Sequence, residues 1–158
     1  MSNRILSVTL RDHSLVPAEA IVHVTVTPER VDGGTEIRGR LMGPRCRFAD
    51  TIEVAYHLRK LTSSEGAVTL RAVIPEASFW EPQIPHLYSG PVELWQDGER
   101  REVVTVRHGL RRLSLGPRGL RVNGHLTALR GRRVTQLDDA AALALREGGY
   151  NLVVAPVT

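Results

Sequence analysis

The chain has 158 residues, of which 42% are hydrophobic and 24% charged, and its net charge is +4. This composition excludes an intrinsically disordered chain and allows one domain and part of a second. No apolar run approaches the roughly 20 residues of a membrane helix, and the single cysteine, Cys46, excludes an internal disulfide. The N-terminus lacks the apolar core of a signal peptide, which predicts a cytoplasmic location if Met1 is the native start.

The first two-thirds of the chain predicts antiparallel β-structure. Apolar and polar residues alternate with a period of two in about seven segments separated by turn signals, of which Asp97-Gly98 is the strongest. This pattern predicts an immunoglobulin-like or fibronectin-like β-sandwich over residues 1–108, without the antibody disulfide. The apolar residues expected to share a face within one strand are Val22, Val24 and Val26; Ile37, Gly39 and Leu41; Ile52, Val54 and Tyr56; and Val68, Leu70 and Ala72.

The last third, residues 109–158, changes character. Asn123-Gly124 predicts a β-hairpin, and a helix is expected to begin near Asp138 and to end at Gly148 or Gly149. An apolar strand follows the helix, so the order predicts one βαβ unit with parallel strands. A sheet of two parallel strands lacks further strands at its edges and helices on both of its faces. Because the sequence ends just after the second strand, the pattern predicts the opening of a larger α/β fold. The fold class is therefore mainly β, an antiparallel β-sandwich followed by a β-hairpin and one βαβ unit.

The segment Ser78–Gly90 concentrates three of the seven aromatic residues with two prolines. Trp80 and Tyr88, together with Trp95 further on, are candidate sugar-contact residues because aromatic rings stack on sugars. Pro82 and Pro85 favour a different interpretation, a rigid corner between two strands, since proline restricts φ and removes a hydrogen-bond donor. The corner is the favoured interpretation.

An ordered set of short motifs runs from Trp80 towards the C-terminus. The residues are Trp80, Pro82, Pro85, Leu87, Tyr88, Val92 and Leu94, then Gly109, Leu110 and Arg111, then Leu120, Val122, Asn123, Gly124, Leu129, Arg130 and Gly131, and finally Gly149, Tyr150 and Asn151. This order resembles glycoside hydrolase family 2, the family of β-galactosidases, β-glucuronidases and β-mannosidases. The resemblance covers roughly residues 16–156 and is most specific between Trp80 and Gly131.

The resemblance implies a central sandwich followed by the first strand–helix–strand of a (β/α)8 barrel. In the family, both catalytic carboxylates come from late barrel strands, the acid in an Asn-Glu pair that this sequence lacks. The family's polar segment after L-R-G is replaced by Arg132–Gln136, without its histidine. We therefore expect this chain to be inactive and to use no cofactor, and we assign no catalytic, cofactor-binding or metal-binding residue. Whether a parent protein is active stays open.

The remaining alternatives concern binding. The sandwich is either the non-catalytic segment of such a protein, packed on the rest of a barrel, or a free-standing carbohydrate-binding or protein-interaction module. The open barrel edge would allow a homo-oligomer. The most basic stretch, residues 106–133, contains no aromatic residue, and its arginines alternate with apolar residues, so we expect no nucleic-acid binding. The lack of a long apolar run predicts no membrane partner. Glu93 and Glu102 are expected on the polar face of a hairpin, and the six histidines show no metal-ligand spacing.

Overall fold

The computed structural model describes residues 3–16, 18–64 and 66–156. The chain forms two compact units, Met1–Arg111 and Arg112–Thr158. Strands dominate the first unit, and Asp139–Glu147 in the second unit (α1) is the one helix of the described residues. The sequence-based prediction of a mainly β fold is confirmed.

The first unit is a sandwich of two antiparallel sheets. In the described residues the strands are β1 (Ile5–Val16), β2 (Glu19–Pro28), β3 (Thr35–Arg45), β4 (Val54–His57), β5 (Arg59–Ser64), β6 (Ala67–Pro75), β7 (Leu87–Gln96) and β8 (Glu99–His108). One sheet has the strand order β1-β2-β6-β5 and the other the order β4-β3-β7-β8. This is the immunoglobulin arrangement, with one strand added at the edge of the second sheet.

The core lies between the two sheets and follows the predicted alternation. Val24 on β2 and Leu70 on β6 are completely or almost completely buried, and they share the interior with Leu41 on β3 and Leu94 on β7. Each such side chain contributes about 1.5–3 kcal/mol when it leaves water. The predicted inward positions on β2, β3 and β6 are confirmed, because the alternate residues on these strands are the buried ones.

One predicted strand is wrong in extent. The segment around residues 51–58 was expected to form a single strand with Ile52 facing the core, but β4 begins at Val54 and Ile52 is 87% exposed. The chain then crosses from one sheet to the other at Leu58, whose N–H donates to the Gly39 carbonyl while β5 pairs with β6 in the opposite sheet. Leu58 is buried at this crossing. The described residues therefore contain eight sandwich strands rather than about seven.

Polar contacts join the two sheets along the side where β1 approaches β8. The carboxylate of Asp12 lies 2.7 Å from Nε2 of His108, and both side chains are largely buried. Nearer the start of β1, the Glu102 carboxylate accepts a hydrogen bond from the N–H of Ile5. The expectation that Glu102 lies on a solvent-facing hairpin surface is wrong, because it is paired opposite the inward residue Leu94.

A buried amide cluster closes one end of the sandwich. Asn3 Nδ2 donates to the carbonyl of Arg30 at 2.8 Å and to Gln96 Oε1 at 3.0 Å. Gln96 Nε2 in turn donates to Asp32 at 2.8 Å. Asn3 and Gln96 are the buried polar residues of the described chain, and their mutual pairing avoids the cost of an unsatisfied amide.

The second unit contains a small antiparallel sheet and a parallel pair. Its elements are β9 (Leu113–Gly116), β10 (Gly119–Val122), β11 (His125–Leu126), β12 (Gly131–Arg133), α1 (Asp139–Glu147) and β13 (Leu152–Val154). The antiparallel order is β11-β10-β9, and β12 pairs with β13 in parallel, as the strand–helix–strand order predicts. The predicted two-residue turns are present, with positive φ at Asp97-Gly98 and at Asn123-Gly124.

The caps of α1 agree with the sequence. The Asp138 side chain accepts the N–H of Ala141 at 2.7 Å and so caps the N-terminus. At the other end, Gly149 takes the left-handed conformation with φ of 78°, whereas Gly148 does not. None of the nine helix residues is buried.

The Asp12–His108 pair offers a test of how the sandwich edge is closed. Asp12→Ala leaves the largely buried His108 ring without its partner, so we expect the free energy of unfolding to fall by about 1–3 kcal/mol. Urea unfolding followed by tryptophan fluorescence measures this change. Glu29→Ala, which removes an exposed pair with Arg4 at 3.8 Å, is the matched control and should cost less than about 0.5 kcal/mol. Equal effects of the two changes would contradict a structural role for the Asp12–His108 pair.

Candidate functional site

The aromatic segment Ser78–Gly90 is organised around Tyr88, the second residue of β7. Tyr88 is completely buried, and its hydroxyl oxygen accepts the N–H of Ser78 at 2.9 Å. Its ring meets Tyr56 edge-on, with centroids 6.2 Å apart. Burial raises the pKa of Tyr88, so the phenol stays neutral. A buried tyrosine at the start of this strand that binds the preceding main chain is the tyrosine corner of immunoglobulin-like sandwiches.

The prolines of the segment lie in a compact turn. Trp80 and Pro85 form an isolated β-bridge, and the N–H groups of Glu81 and His86 both donate to the carbonyl of Ile84. His86 Nδ1 lies 3.1 Å from the carbonyl of Phe79, which ties the two limbs of the turn together. These contacts favour the corner interpretation over an adaptable ligand loop.

Trp80 packs against the chain that leaves β8. The backbone N–H of Trp80 donates to the carbonyl of Leu110 at 2.8 Å, and the guanidinium of Arg111 lies 5.2 Å from the centroid of the indole ring. Gly109 lies directly against the indole, where an added Cβ would be 3.0 Å from Cδ1 of Trp80. A side chain at position 109 would therefore press on the indole, which explains why glycine stands there.

Trp95 occupies a different environment on the outer face of the β4-β3-β7-β8 sheet. Its indole Nε1 donates to Glu93 at 2.8 Å, and the guanidinium of Arg38 lies 4.3 Å above the ring. Arg38 in turn donates to Glu36 at 2.6 Å. One face of this half-buried indole is therefore covered by an arginine that is itself ion-paired.

The three candidate sugar-contact residues do not form one platform. Tyr88 points into the core, whereas Trp95 on the same strand points outward, and Trp80 lies in the turn before β7. The burial of Tyr88 leaves its ring no face for a ligand. The sugar-contact prediction therefore depends on Trp80 and Trp95 as separate surface positions.

The carboxylates with shifted pKa values act as structural anchors. The pKa of Asp32 is lowered, chiefly by the hydrogen bond from Gln96, and the pKa of Glu36 is lowered chiefly by the hydrogen bond from Arg38. A general acid for glycoside hydrolysis needs the opposite shift, because it must keep its proton near neutral pH. Neither residue has the environment of a catalytic acid.

Two cavities in the sandwich also lack the chemistry for hydrolysis. A cavity of about 260 Å³ lies at the end of the core between Glu36, Leu58 and Lys60, and its lining contains that one carboxylate. A groove of about 410 Å³ follows the side between β1 and β8, and its lining contains none. Glycosidases need two carboxyl groups, one on each side of the glycosidic bond. Among the described residues, His, Cys, Asp and Glu also form no cluster of three that could bind a metal.

The asparagines of the C-terminal motifs have structural roles. Asn123 Oδ1 accepts the N–H of Arg112 at 2.9 Å. Asn151 accepts the N–H of Arg130 at 2.8 Å and donates to the carbonyl of Ala128 at 2.7 Å. Both asparagines therefore connect neighbouring backbone segments within the second unit.

Sequence reasoning missed one pair of histidines. His13 and His23 stack with ring centroids 4.2 Å apart and an interplanar angle of 15°. A β-bulge lies at the contact, because the pairing of β1 with β2 shifts register between Asp12 and Ser14 and leaves His13 as an extra residue. Strand periodicity alone carries no signal for such a bulge.

Comparison with known protein families identifies the first unit. The model of Glycosyl hydrolases family 2 matches residues 4–111, which is more than half of the chain. The chain belongs to this family. The family resemblance expected from the motifs is therefore confirmed for the sandwich. A comparison with curated protein sequences finds no match.

Several solved structures share the fold of this chain. A glycosyl hydrolase family 2 member from Bacteroides cellulosilyticus is 18% identical with a TM-score of 0.75, and the match covers 99% of this chain and 22% of that protein. A β-glycosidase from Bacteroides vulgatus is 16% identical with a TM-score of 0.69, and the match covers 96% of this chain and 21% of that protein. A Bifidobacterium dentium β-glucuronidase, complexed with coumarin-3-O-glucuronide, is 16% identical with a TM-score of 0.66. This match covers 94% of this chain and 25% of that protein. The chain spans about a fifth to a quarter of the length of these proteins.

The tyrosine corner gives a test of the corner interpretation. Tyr88→Phe removes the acceptor of the Ser78 N–H and should lower the free energy of unfolding by about 1 kcal/mol. Tyr56→Phe is the matched control, because within the described residues the Tyr56 hydroxyl makes no hydrogen bond, and it should change stability by less than about 0.5 kcal/mol. Chemical denaturation measures both changes. A neutral Tyr88→Phe substitution would contradict the corner.

The histidine pair predicts a pH dependence of stability. The pKa of His23 is lowered by burial and then by the charges of His13 and Arg71, so the folded state binds fewer protons than the unfolded state. Stability should therefore fall as the pH falls through about 6.5, the usual pKa of histidine. Urea unfolding between about pH 7.5 and 5.5 measures the slope. His23→Thr should flatten it, and His57→Thr, on the other sheet, is the control; an unchanged slope in His23→Thr would sink the assignment.

Proposed function

We propose that this chain is the non-catalytic part of a larger family 2 protein that hydrolyses β-glycosidic bonds. Residues 1–108 are the immunoglobulin-like spacer domain, and residues 109–158 are the hairpin and the first strand–helix–strand of a (β/α)8 barrel. In such a protein the sandwich would support the barrel, and the two reacting carboxylates would come from barrel strands outside this sequence. The chain alone would then have no hydrolytic activity.

The observation that carries this proposal is the unfinished packing of the second unit. Its parallel pair β12–β13 has two strands, although parallel sheets are stable when both faces are covered. No residue of α1 is buried, and Leu143 on the helix is 44% exposed. The apolar side chains of this unit therefore support a role as one portion of a larger α/β layer.

The remaining apolar residues of the unit point to the same partner. Leu129 before β12 and Val154 on β13 are each about half exposed, at 50% and 49%. Covering such side chains contributes about 1–2 kcal/mol each. Further barrel strands and helices would supply that cover, so we propose the rest of a barrel as the packing partner of this unit.

The proposal predicts how the second unit responds to mutation in this chain. Leu129→Glu and Val154→Glu should each change the stability of the second unit by less than about 0.5 kcal/mol, since about half of each side chain is already in water. Val122→Glu is the control, because Val122 is 8% exposed and its replacement buries a charge. Hydrogen exchange of the amides in residues 112–156 measures the local stability. Large losses in all three variants would indicate a finished domain with its own core and contradict the proposal.

Activity provides a second test. The purified chain should not cleave aryl β-glycosides above the rate of buffer, while a protein extended by its natural downstream reading frame should cleave one of them. Turnover by the 158-residue chain would overturn the non-catalytic assignment. An extended frame without further strand–helix repeats would overturn the barrel assignment instead.

A free-standing binding module is the second candidate, favoured by the half-buried indole of Trp95 on the outer face of its sheet. In that case calorimetric binding of a neutral oligosaccharide should be lost in Trp95→Ala, with the circular dichroism spectrum unchanged. The unpaired edges of β12 and β13 would also permit a homo-oligomer, which light scattering at high concentration tests. Binding that survives Trp95→Ala would exclude this indole as the platform.

A further inference from the structure

The outer face of the β1-β2-β6-β5 sheet carries a line of basic side chains. Strand pairing places Arg11 opposite His23, His23 opposite Arg71, and Arg71 opposite Arg59. Directly opposite residues project from the same face, and neighbouring strands are about 4.8 Å apart, so the line crosses four strands over about 14 Å. His13 adds to it by stacking on His23. We call these five residues the basic row.

The charges of the basic row are not compensated by acids. Among the described residues its three arginines make no ion pair. Glu19, at the first residue of β2, is the one acid at the outward positions described on these four strands. The outer face of the other sheet differs, because there Arg38 pairs with Glu36 and Arg100 with Glu93. The two faces of the sandwich therefore have different charge patterns.

The crowding of like charges has a measurable consequence at the centre of the row. After burial, the charges of His13 on β1 and Arg71 on β6 lower the pKa of His23. Arg11 and Arg59 complete the charged groups on the strands beside it. An anion bound along the row would relieve this repulsion and favour the protonated form of His23. The face is thus already arranged for negative charge.

The residues on each side of the basic row limit the kinds of ligand that it could bind. On one side lie Thr25 and Thr69, whose hydroxyl oxygens are 3.2 Å apart, and on the other side lie the paired residues Ile21 and Val73. Hydroxyl groups beside a charged line and an apolar strip match a sugar ring, which presents hydroxyls, C–H faces and, in acidic sugars, a charged group. No Phe, Tyr or Trp occupies the outward positions described here, so the stacking contacts used by single-stranded nucleic acids are absent.

We propose that the basic row binds an acidic polysaccharide, with the carboxylate or sulfate groups of the polymer paired to the arginines. The polymer would cross the strands, with its hydroxyls towards Thr25 and Thr69 and its C–H faces towards Ile21 and Val73. Because the surface is solvent-exposed, binding is weak for each contact and gains strength from repetition along the polymer. The site is independent of the barrel chemistry proposed above.

The direct test is calorimetric titration of the full chain with polygalacturonate and with dextran sulfate, at low and at physiological ionic strength. The triple variant Arg11→Thr/Arg59→Thr/Arg71→Thr should bind about tenfold more weakly, since it loses three charged contacts. The control Arg40→Thr/Arg101→Thr/Arg107→Thr removes the same charge from the other sheet and should stay within about twofold of the native chain. Threonine suits a strand, and circular dichroism verifies the fold of both variants.

The two polymers separate the anionic groups, since preference for polygalacturonate indicates carboxylates and preference for dextran sulfate indicates sulfates. Affinity should also rise when the pH is lowered from about 7.5 to 5.5, as His23 gains a proton. His23→Thr should abolish this rise and leave binding at pH 7.5 within about twofold.

Three results would overturn the proposal. Equal losses in the two triple variants would show that net charge alone is responsible. Equal binding of neutral dextran would remove the role of the anionic groups. Tighter binding of a DNA duplex than of either polysaccharide would assign the row to nucleic acid instead.

Discussion

The structure depends on the apolar layer between the two sheets of the sandwich. Val24 and Leu70 from one sheet meet Leu41 and Leu94 from the other, and all four are removed from water. This packing requires that alternate residues of each strand face inward, which explains why the strands read with a period of two. At the side of the sandwich where β1 approaches β8, the two sheets are joined by a polar contact between Asp12 and His108.

Sequence patterns were sufficient for the elements whose signal is local. The turns at Asp97-Gly98 and Asn123-Gly124, the capping aspartate of α1 and the inward valines of β2 all followed from residue type and spacing. The corner interpretation of the proline-rich segment also agrees with the structure, since Tyr88 is a buried hydroxyl acceptor for the main chain. Local chemistry determines these features, and little depends on distant residues.

The features that sequence reasoning missed arise from contacts distant in the chain. Ile52 looked like a core residue because of its spacing from Val54, but the chain enters the sheet two residues later. Glu102 is turned towards β1 by an interaction across 97 residues. The His13–His23 stack lies at a bulge that alternation does not encode. In the candidate site, Tyr88 and Trp95 are an odd number of residues apart on β7, so alternation alone places them on opposite faces of one sheet, and grouping them by residue type overlooked this.

The crossing at Leu58 has a mechanical consequence. Its amide is hydrogen-bonded to β3 in one sheet, and the next residue is paired with β6 in the other, so consecutive peptide units belong to different layers. Separation of the layers on this side would have to stretch the main chain itself. In a sandwich without an internal disulfide, this main-chain connection couples the unfolding of one sheet to the unfolding of the other. The two sheets are therefore expected to unfold together in one cooperative transition.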